Sequence, residues 1–176
     1  MDQTVGMVGA RRCSQEAKQK TVFLASEYAK TRIAVVSGMA KGIDSYAHTA
    51  CLNAGGYTIA ILGNGLDICY PSEHHKLMKC IEEKGMLLSE YPPGTPPSRY
   101  TFPRRNRLIS SWSDKLIIIQ AGKGSGALIT AKYSRKYGRK VEMRESICVF
   151  PTRRFIGLCP NGNVTKLSRF VTWEQI

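Results

Sequence analysis

Residues 33–42 read Ile-Ala-Val-Val-Ser-Gly-Met-Ala-Lys-Gly. The first four residues are apolar at every position, as in a strand that is covered on both faces. The turn after them leads into apolar residues at helical spacing, Ile43, Ala47 and Ala50. A buried strand that passes directly into a helix is typical of a parallel β-sheet. This stretch therefore predicts one β-α unit of an α/β fold.

The same pattern of strand, turn and helix recurs on both sides of this unit. Further strands are predicted at residues 4–8, 57–62, 86–89, 116–119 and 147–150, with helices from Ser14, over 72–83 and over 127–137. This alternation predicts an open, mainly parallel sheet with helices on both faces. In such a sheet every loop that follows a strand lies at the same edge, where open α/β sheets bind their ligands.

Those loops contain many of the glycines and several basic residues. They are residues 9–12, 37–42, 63–67, 91–107 and 122–126. Residues 122–126, Gly-Lys-Gly-Ser-Gly, match neither the dinucleotide fingerprint nor the ATP-binding P-loop. Both an anion-binding nest and a tight turn without a ligand fit this loop. An ATP-hydrolysing P-loop is therefore not expected.

The most basic stretch is residues 102–109, Phe-Pro-Arg-Arg-Asn-Arg-Leu-Ile. It is predicted to lie where a loop enters a short helix, a junction at which free N–H groups favour anions. Arginines at that junction add bidentate donors for phosphate. Phe102 fits either core packing or stacking on a base, and the neighbouring Tyr100 also fits stacking on a base. A solvated basic turn is the alternative interpretation.

The charge balance indicates a polyanionic partner. The 176 residues carry a net charge of +13 and a pI near 9.7. A membrane surface also attracts such charge, but no apolar run approaches the ~18–20 residues that span a bilayer, and the N-terminus does not resemble a signal peptide. The six scattered cysteines lack metal-ligand spacing and suggest a reducing cytosol. A cytoplasmic protein without a structural metal is expected.

The sequence shows no arrangement of residues suited to catalysis. Paired carboxylates and a Ser/His/Asp combination are both missing, and His48, His74 and His75 are expected to be solvated. Asp44 fits a charge in the first turn of a helix. These observations predict that the protein is not an enzyme.

Six segments, in order, strongly resemble the DprA/Smf family of DNA-processing proteins. They are Gly9-x-Arg11, Ser37–Asp44, Gly63–Asp67 with Tyr70-Pro71, Ser89–Gly94, Phe102-Pro103-x-Arg105-Asn106-Arg107 and Ser125–Ala131. The resemblance implies an extended Rossmann-like domain that binds single-stranded DNA, dimerises and loads the RecA recombinase during natural transformation and recombination. It also implies no catalysis and no cofactor.

By position, the resemblance implies DNA contacts from Arg11, Ser37, Gly38, Lys41, Phe102, Arg105, Asn106 and Arg107. Neighbouring residues of these loops, together with two residues of the loop at 122–126, complete the predicted DNA-binding set. These are Gly9, Arg12, Arg104, Lys123 and Ser125.

The sequence departs from the family pattern after the last predicted helix. Glu142-Met143-Arg144-Glu145 interrupts the expected course, and Pro151 is followed by Thr152 where the family usually has Gly. We therefore expect a Rossmann-like DNA-binding domain over residues 1–141. Residues 142–176 are expected to be a divergent continuation of the same domain.

The chief rival interpretation is an enzyme of the nucleotide phosphoribohydrolase type, which shares a similar layout. Enzymes of this type contain a Pro-Gly-Gly-x-Gly-Thr-x-x-Glu motif, and the glutamate of this motif takes part in the chemistry. The corresponding residues here, 121–128, contain no carboxylate, which argues against hydrolysis. A dinucleotide oxidoreductase is disfavoured because its glycine fingerprint is missing.

Overall fold

The computed structural model describes residues 3–144. It contains one six-stranded sheet in which every neighbouring pair of strands is parallel. The strands are β1 (Thr4–Gly9), β2 (Ala34–Ser37), β3 (Thr58–Leu62), β4 (Met86–Ser89), β5 (Lys115–Ile119) and β6 (Lys140–Met143), in the order β4-β3-β2-β1-β5-β6. The predicted open parallel sheet is confirmed.

Five helices connect the strands. They are α1 (Gln15–Lys30), α2 (Ile43–Asn53), α3 (His75–Lys84, preceded by a 3-10 turn at Ser72–His74), α4 (Thr101–Ser111) and α5 (Gly126–Lys136). Helices α1, α2 and α3 pack on one face of the sheet, and α4 and α5 pack on the other. No helix within residues 3–144 combines the length and the apolar character that crossing a bilayer requires.

The core follows from the alternation of side chains along the strands. On β3, Ile59 and Ile61 face α4 and α5, whereas Ala60 and Leu62 face α2 and α3. The central strand β1 and its neighbour β5 are apolar on both faces, and residues 116–119 of β5 are fully buried. The uninterrupted apolar runs in the sequence therefore correspond to strands that are covered by helices on both sides.

Strand β6 has no counterpart among the strands predicted from the sequence. Its residues, Lys-Val-Glu-Met, alternate between charged and apolar and lie at the edge of the sheet, where one face remains solvated. The strand crosses residue 141, at which the two predicted segments meet. The strand predicted at 147–150 lies outside the described residues, and the role of residues 142–176 stays a prediction.

One expectation about the histidines is wrong. His48 is fully buried, and its Nδ1 lies 2.6 Å from the Thr58 hydroxyl oxygen on β3. The helical spacing of α2 places this position on the face that packs against the sheet. The pKa of His48 is lowered to about 3, first because the side chain is buried and then because the positive charge of Arg105 is near.

Candidate nucleic-acid interface

A crevice opens at the edge of the sheet where the chain reverses its direction of winding. Strand β1 lies between β2 and β5, and the helices that follow β1 and β5 pack on opposite faces. The loops after β1 and β5 therefore diverge and leave a gap, the position at which open α/β sheets bind ligands. The gap is a crevice of about 540 Å³ lined by Arg11, Asp44, Phe102, Arg105, Asn106 and Ser125, among others.

The crevice requires close contact between neighbouring loops. A Cβ atom on Gly9 would lie 1.9 Å from the carbonyl oxygen of Ile119, so β1 ends against the backbone of β5. Gly42 has a φ of +78°, and a Cβ atom there would lie 2.4 Å from the carbonyl oxygen of Ala10. Glycine is needed at both positions, and at Gly42 it also supplies a conformation that other residues rarely adopt.

Arg105 lies at the floor of the crevice and is only 4% exposed. Its Nη1 donates to the carbonyl oxygen of Gly38 at 2.5 Å and to that of Ile61, and its Nε donates to Asn106 Oδ1 at 3.2 Å. Arg105 thus ties α4 to the loop after β2 and to the end of β3. Burial lowers the pKa of this guanidinium to about 10, which still leaves it charged at neutral pH.

Asp44 places a carboxyl group close to Arg105. This residue is 6% exposed, and its Oδ2 accepts a hydrogen bond from the Ala40 N–H at 3.4 Å. Burial raises the pKa of Asp44, and the charge of Arg105 acts in the opposite direction. Asp44 was expected only as a charge in the first turn of α2. In the structure its carboxyl group accepts a hydrogen bond from the loop at residues 37–40 and holds that loop in place.

Two further arginines of the basic stretch, Arg104 and Arg107, do not line the crevice and are paired with a carboxylate. The Nε of Arg104 lies 3.6 Å from Glu90 Oε1, and an Nη of Arg107 forms an ion pair with Glu90 Oε2. Residues three apart share one face of a helix, so Arg104 and Arg107 lie together while Arg105 points elsewhere. Lys41 is also paired, with its Nζ 2.5 Å from Glu73 Oε1 on the surface.

The start of α4 differs from the expected anion-binding junction. The N–H of Thr101 donates to Ser98 Oγ at 3.1 Å and that of Phe102 to the Ser98 carbonyl oxygen at 3.4 Å. Pro103 has no N–H. The amides of the first turn are therefore already engaged, and the side chains of this turn determine what it binds.

Phe102 forms part of the crevice wall. Its ring packs on the loop after β3, where a Cβ atom on Gly63 would lie 2.8 Å from the ring, and its centroid is 5.5 Å from that of Tyr70. The guanidinium carbons of Arg11 and Arg105 each lie 5.9 Å from the ring centroid. Phe102 is half-buried. One part of its ring is packed against the protein, and the rest is a partly open aromatic surface.

The remaining predicted residues divide into structural and exposed groups. Ser37 Oγ donates to the Met7 carbonyl oxygen at 2.6 Å in the interior, and Ser125 Oγ caps α5 by accepting from the Ala127 N–H at 3.2 Å. Asn106 Nδ2 donates to the Gly126 carbonyl oxygen at 3.2 Å. Arg12 and Lys123 are exposed. Ser37, Ser125 and Asn106 therefore shape the loops around the crevice.

Arg99 lines the crevice and was not among the predicted site residues. It lies in the Pro-rich loop before α4, where no helical or strand period indicates which side chains converge. Within residues 3–144, Arg11 and Lys123 form no ion pair. Among the described residues, the cations of the site that have no carboxylate partner therefore lie on the loops after β1 and β5 and just before α4.

The fold and the crevice define an extended Rossmann-like α/β domain with a basic cleft, which includes the Phe102 ring, at the switch point of its sheet. The family model for DNA recombination-mediator protein A matches residues 1–153. The chain belongs to this family of DNA-processing proteins, and the resemblance to DprA/Smf proteins is confirmed.

Relatives and solved structures agree with this assignment. The chain is 43% identical over 137 residues to protein Smf of Synechocystis, which covers 78% of this chain and 34% of that protein. The X-ray structure of DNA processing protein A (DprA) from Streptococcus pneumoniae superposes with a TM-score of 0.76 at 37% identity, covering 84% of this chain and 52% of that one. Helicobacter pylori DNA processing protein A, studied for its single-stranded DNA binding mode, has a TM-score of 0.76 at 36% identity over 80% of this chain and 64% of that one.

The chain spans between a third and about half of the length of the curated relatives, 34% of the Synechocystis protein and 48% of the Streptococcus pneumoniae protein. The activities of the full-length relatives are therefore proposals for this chain.

Proposed function

We propose that this domain binds single-stranded DNA in the crevice between the loops after β1 and β5. The observation that carries the proposal is the convergence of exposed Arg11, Arg99 and the Phe102 ring on one cleft at the switch point of the sheet. Unpaired guanidinium groups supply the phosphate contacts that dominate affinity for nucleic acids. An aromatic ring beside them stacks on any base, which favours unpaired strands.

The predicted site residues fall into two roles within this proposal. Arg11, Arg12 and Lys123 contact phosphates directly, because they are exposed on the loops at the edge of the sheet. The other group acts indirectly, through hydrogen bonds that hold the loops in position. It consists of Ser37, Gly38, Arg105 and Asn106.

The cellular role follows the family. The domain takes part in DNA uptake, natural transformation and recombination by protecting single strands and by loading RecA. The Helicobacter pylori relative, studied for its single-stranded DNA binding mode, supports the choice of ligand. A homodimer formed through this domain is part of the proposal, and light scattering at micromolar concentration tests it.

The rival function, hydrolysis of nucleotides, is not supported by the crevice. Among its described lining residues Asp44 is the one carboxylate, and it is buried against the loop at residues 37–40. A general base needs to reach the substrate within hydrogen-bonding distance. We propose that the domain has no catalytic activity, and release of free base from AMP would contradict this.

Fluorescence anisotropy with labelled single-stranded and double-stranded oligonucleotides over a range of salt concentrations tests the proposal. We expect tighter binding of the single strand, and Arg11→Ala is expected to lower the slope of log affinity against log salt by about one phosphate contact. Lys136→Ala, an exposed cation in the last turn of α5, is the matched control for bulk charge. Equal effects of the two substitutions would show that net charge alone explains binding.

A further inference from the structure

Tyr100 is the most exposed large hydrophobic side chain of the described residues, with 71% of its surface accessible. Its backbone is nonetheless fixed, because Ser98 Oγ accepts hydrogen bonds from the Tyr100 N–H at 3.2 Å and the Thr101 N–H at 3.1 Å. The Ser98 N–H in turn donates to Thr101 Oγ1 at 3.0 Å. A large aromatic side chain thus projects into solvent from a rigid turn.

The Tyr100 ring is connected to the crevice through Arg99. The Arg99 guanidinium carbon lies 4.9 Å from the ring centroid, and its Nη2 donates to the Tyr100 hydroxyl oxygen at 2.7 Å. Arg99 itself lines the crevice. One side of the ring is therefore covered by a cation that also faces the DNA-binding cleft, and the high exposure leaves the rest of the ring open.

Phe102, two residues further along, is in a different situation. Its ring already contacts Tyr70 and lies beside Arg11 and Arg105, and the loop at Gly63 packs against its edge. A base that stacks on Phe102 has to enter the crevice. A base that stacks on Tyr100 remains outside, at its rim.

We infer that Tyr100 is a second stacking platform, which holds a base next to the nucleotide in the crevice. The inference rests on the proposed binding of single-stranded DNA. Base–aromatic stacking does not depend on which base is present, since every base has a π-face. Arg99 then contributes twice, by keeping the ring in place and by placing a positive charge beside the backbone of the bound strand.

The test compares oligo(dT) with an abasic oligonucleotide of the same length and charge. Tyr100→Ala is expected to weaken the binding of oligo(dT) by roughly five- to a hundredfold, as loss of one stacked base does. It should leave the affinity for the abasic strand unchanged, since that strand keeps every phosphate but has no base. Tyr100→Phe should bind the abasic strand as the unmodified chain does and should keep most of the affinity for oligo(dT), because it retains the ring and the Arg99 contact with its face and loses only the hydrogen bond to the hydroxyl group.

Tyr137→Ala, at the C-terminal end of α5, is the control for loss of an exposed tyrosine. Thermal melting shows whether each variant is folded, and a 71% exposed side chain is not needed for folding. An unchanged affinity of Tyr100→Ala for oligo(dT), an equal loss on both strands, or a Tyr100→Phe variant as weak as the alanine would overturn the inference. If the unmodified chain binds neither strand, the proposed function itself fails, which is a distinguishable result.

Discussion

Arg105 shows how an arginine of the basic stretch at residues 102–109 has a structural role. The residue is buried among backbone carbonyl oxygens of Gly38 and Ile61 and lies close to Asp44. A Cβ atom on Gly38 would lie 2.6 Å from the Arg105 guanidinium, so the loop and the side chain fit each other. Arginine suits this position because its planar group donates to several acceptors at once.

Arg105→Ala is expected to lower the free energy of unfolding by about 2–4 kcal/mol, because it leaves two buried carbonyls and the Asp44 charge without their partner. Urea denaturation followed by circular dichroism measures this. Arg104→Ala, on the exposed side of the same helix, should change stability by less than about 0.5 kcal/mol. A variant of Arg105 with full stability and a reduced salt slope of DNA binding would show that Arg105 contacts phosphate instead.

Glu90 holds two arginines of the same motif in internal ion pairs. Glu90→Gln removes the carboxylate charge that competes with phosphate for Arg104 and Arg107. We expect tighter binding of single-stranded DNA and a salt slope steeper by up to about two contacts, measured by anisotropy. Glu27→Gln, which removes a similar pair with Lys30 on α1, is the control. Weaker binding by Glu90→Gln would mean that Glu90 orients these arginines toward DNA.

His48 gives the stability of the domain a defined pH dependence. The unfolded chain binds a proton at His48 below about pH 6.5, whereas the folded chain keeps the buried ring neutral down to about pH 3. Stability contributed by the neutral ring is therefore present above pH 6.5 and falls as the pH falls through this interval. Between pH 7 and pH 5 the loss is about 2 kcal/mol. Denaturation of His48→Gln at both pH values should show a smaller difference, and an equal difference would contradict this.

The basic stretch at residues 102–109 illustrates what single residues reveal in a sequence. Its position at the start of a helix, at the edge of the sheet where the strands end, was predicted, because the loop and the helical spacing are visible in the sequence. The different contacts that its three arginines make were not predicted. They depend on which face of α4 meets the sheet and on the distant Glu90, Gly38 and Ile61, and none of these contacts leaves a local signal.

Among the elements, the strands with uninterrupted apolar runs were predicted to within about two residues. Burial on both faces imposes such runs, so β2, β3 and β5 can be predicted from consecutive apolar residues in the sequence. Strand β6 was missed because an edge strand keeps charged residues on its solvated side. Helix α4 begins at Thr101, before the arginines, because Ser98 accepts hydrogen bonds from the N–H groups of Thr101 and Phe102, the first two residues of the helix.

The junction between the loop after β1 and α2 depends on Gly42. Gly42→Ala is expected to destabilise the domain by more than about 2 kcal/mol, since it adds a backbone clash to the strain of a positive φ. Gly55→Ala is a matched control, because Gly55 has a φ of +74° but open space around its Cβ position. The difference between the two variants in urea denaturation isolates the clash. Equal losses would show that the loop moves aside easily.

For the molecule as a whole, the net charge of +13 predicted a polyanionic partner but not where it binds. The proposed location rests on the topology, because the strand order β4-β3-β2-β1-β5-β6 places a crevice between the loops after β1 and β5. The sequence revealed the alternation of elements and the family motifs. The size of the crevice and the pairing of its charges required the assembled sheet.

The location of the binding site is tested most directly by titrating the isotope-labelled chain with oligo(dT) and following its backbone amide resonances by NMR. We predict that shifts concentrate at one edge of the sheet, in residues 9–14, 38–42, 99–106 and 122–126. Amides at the opposite edge, around Arg32, Gly55, Gly85 and Asp114, should stay in place. Shifts concentrated at that opposite edge, or spread evenly over the basic surface, would contradict a binding crevice at the switch point.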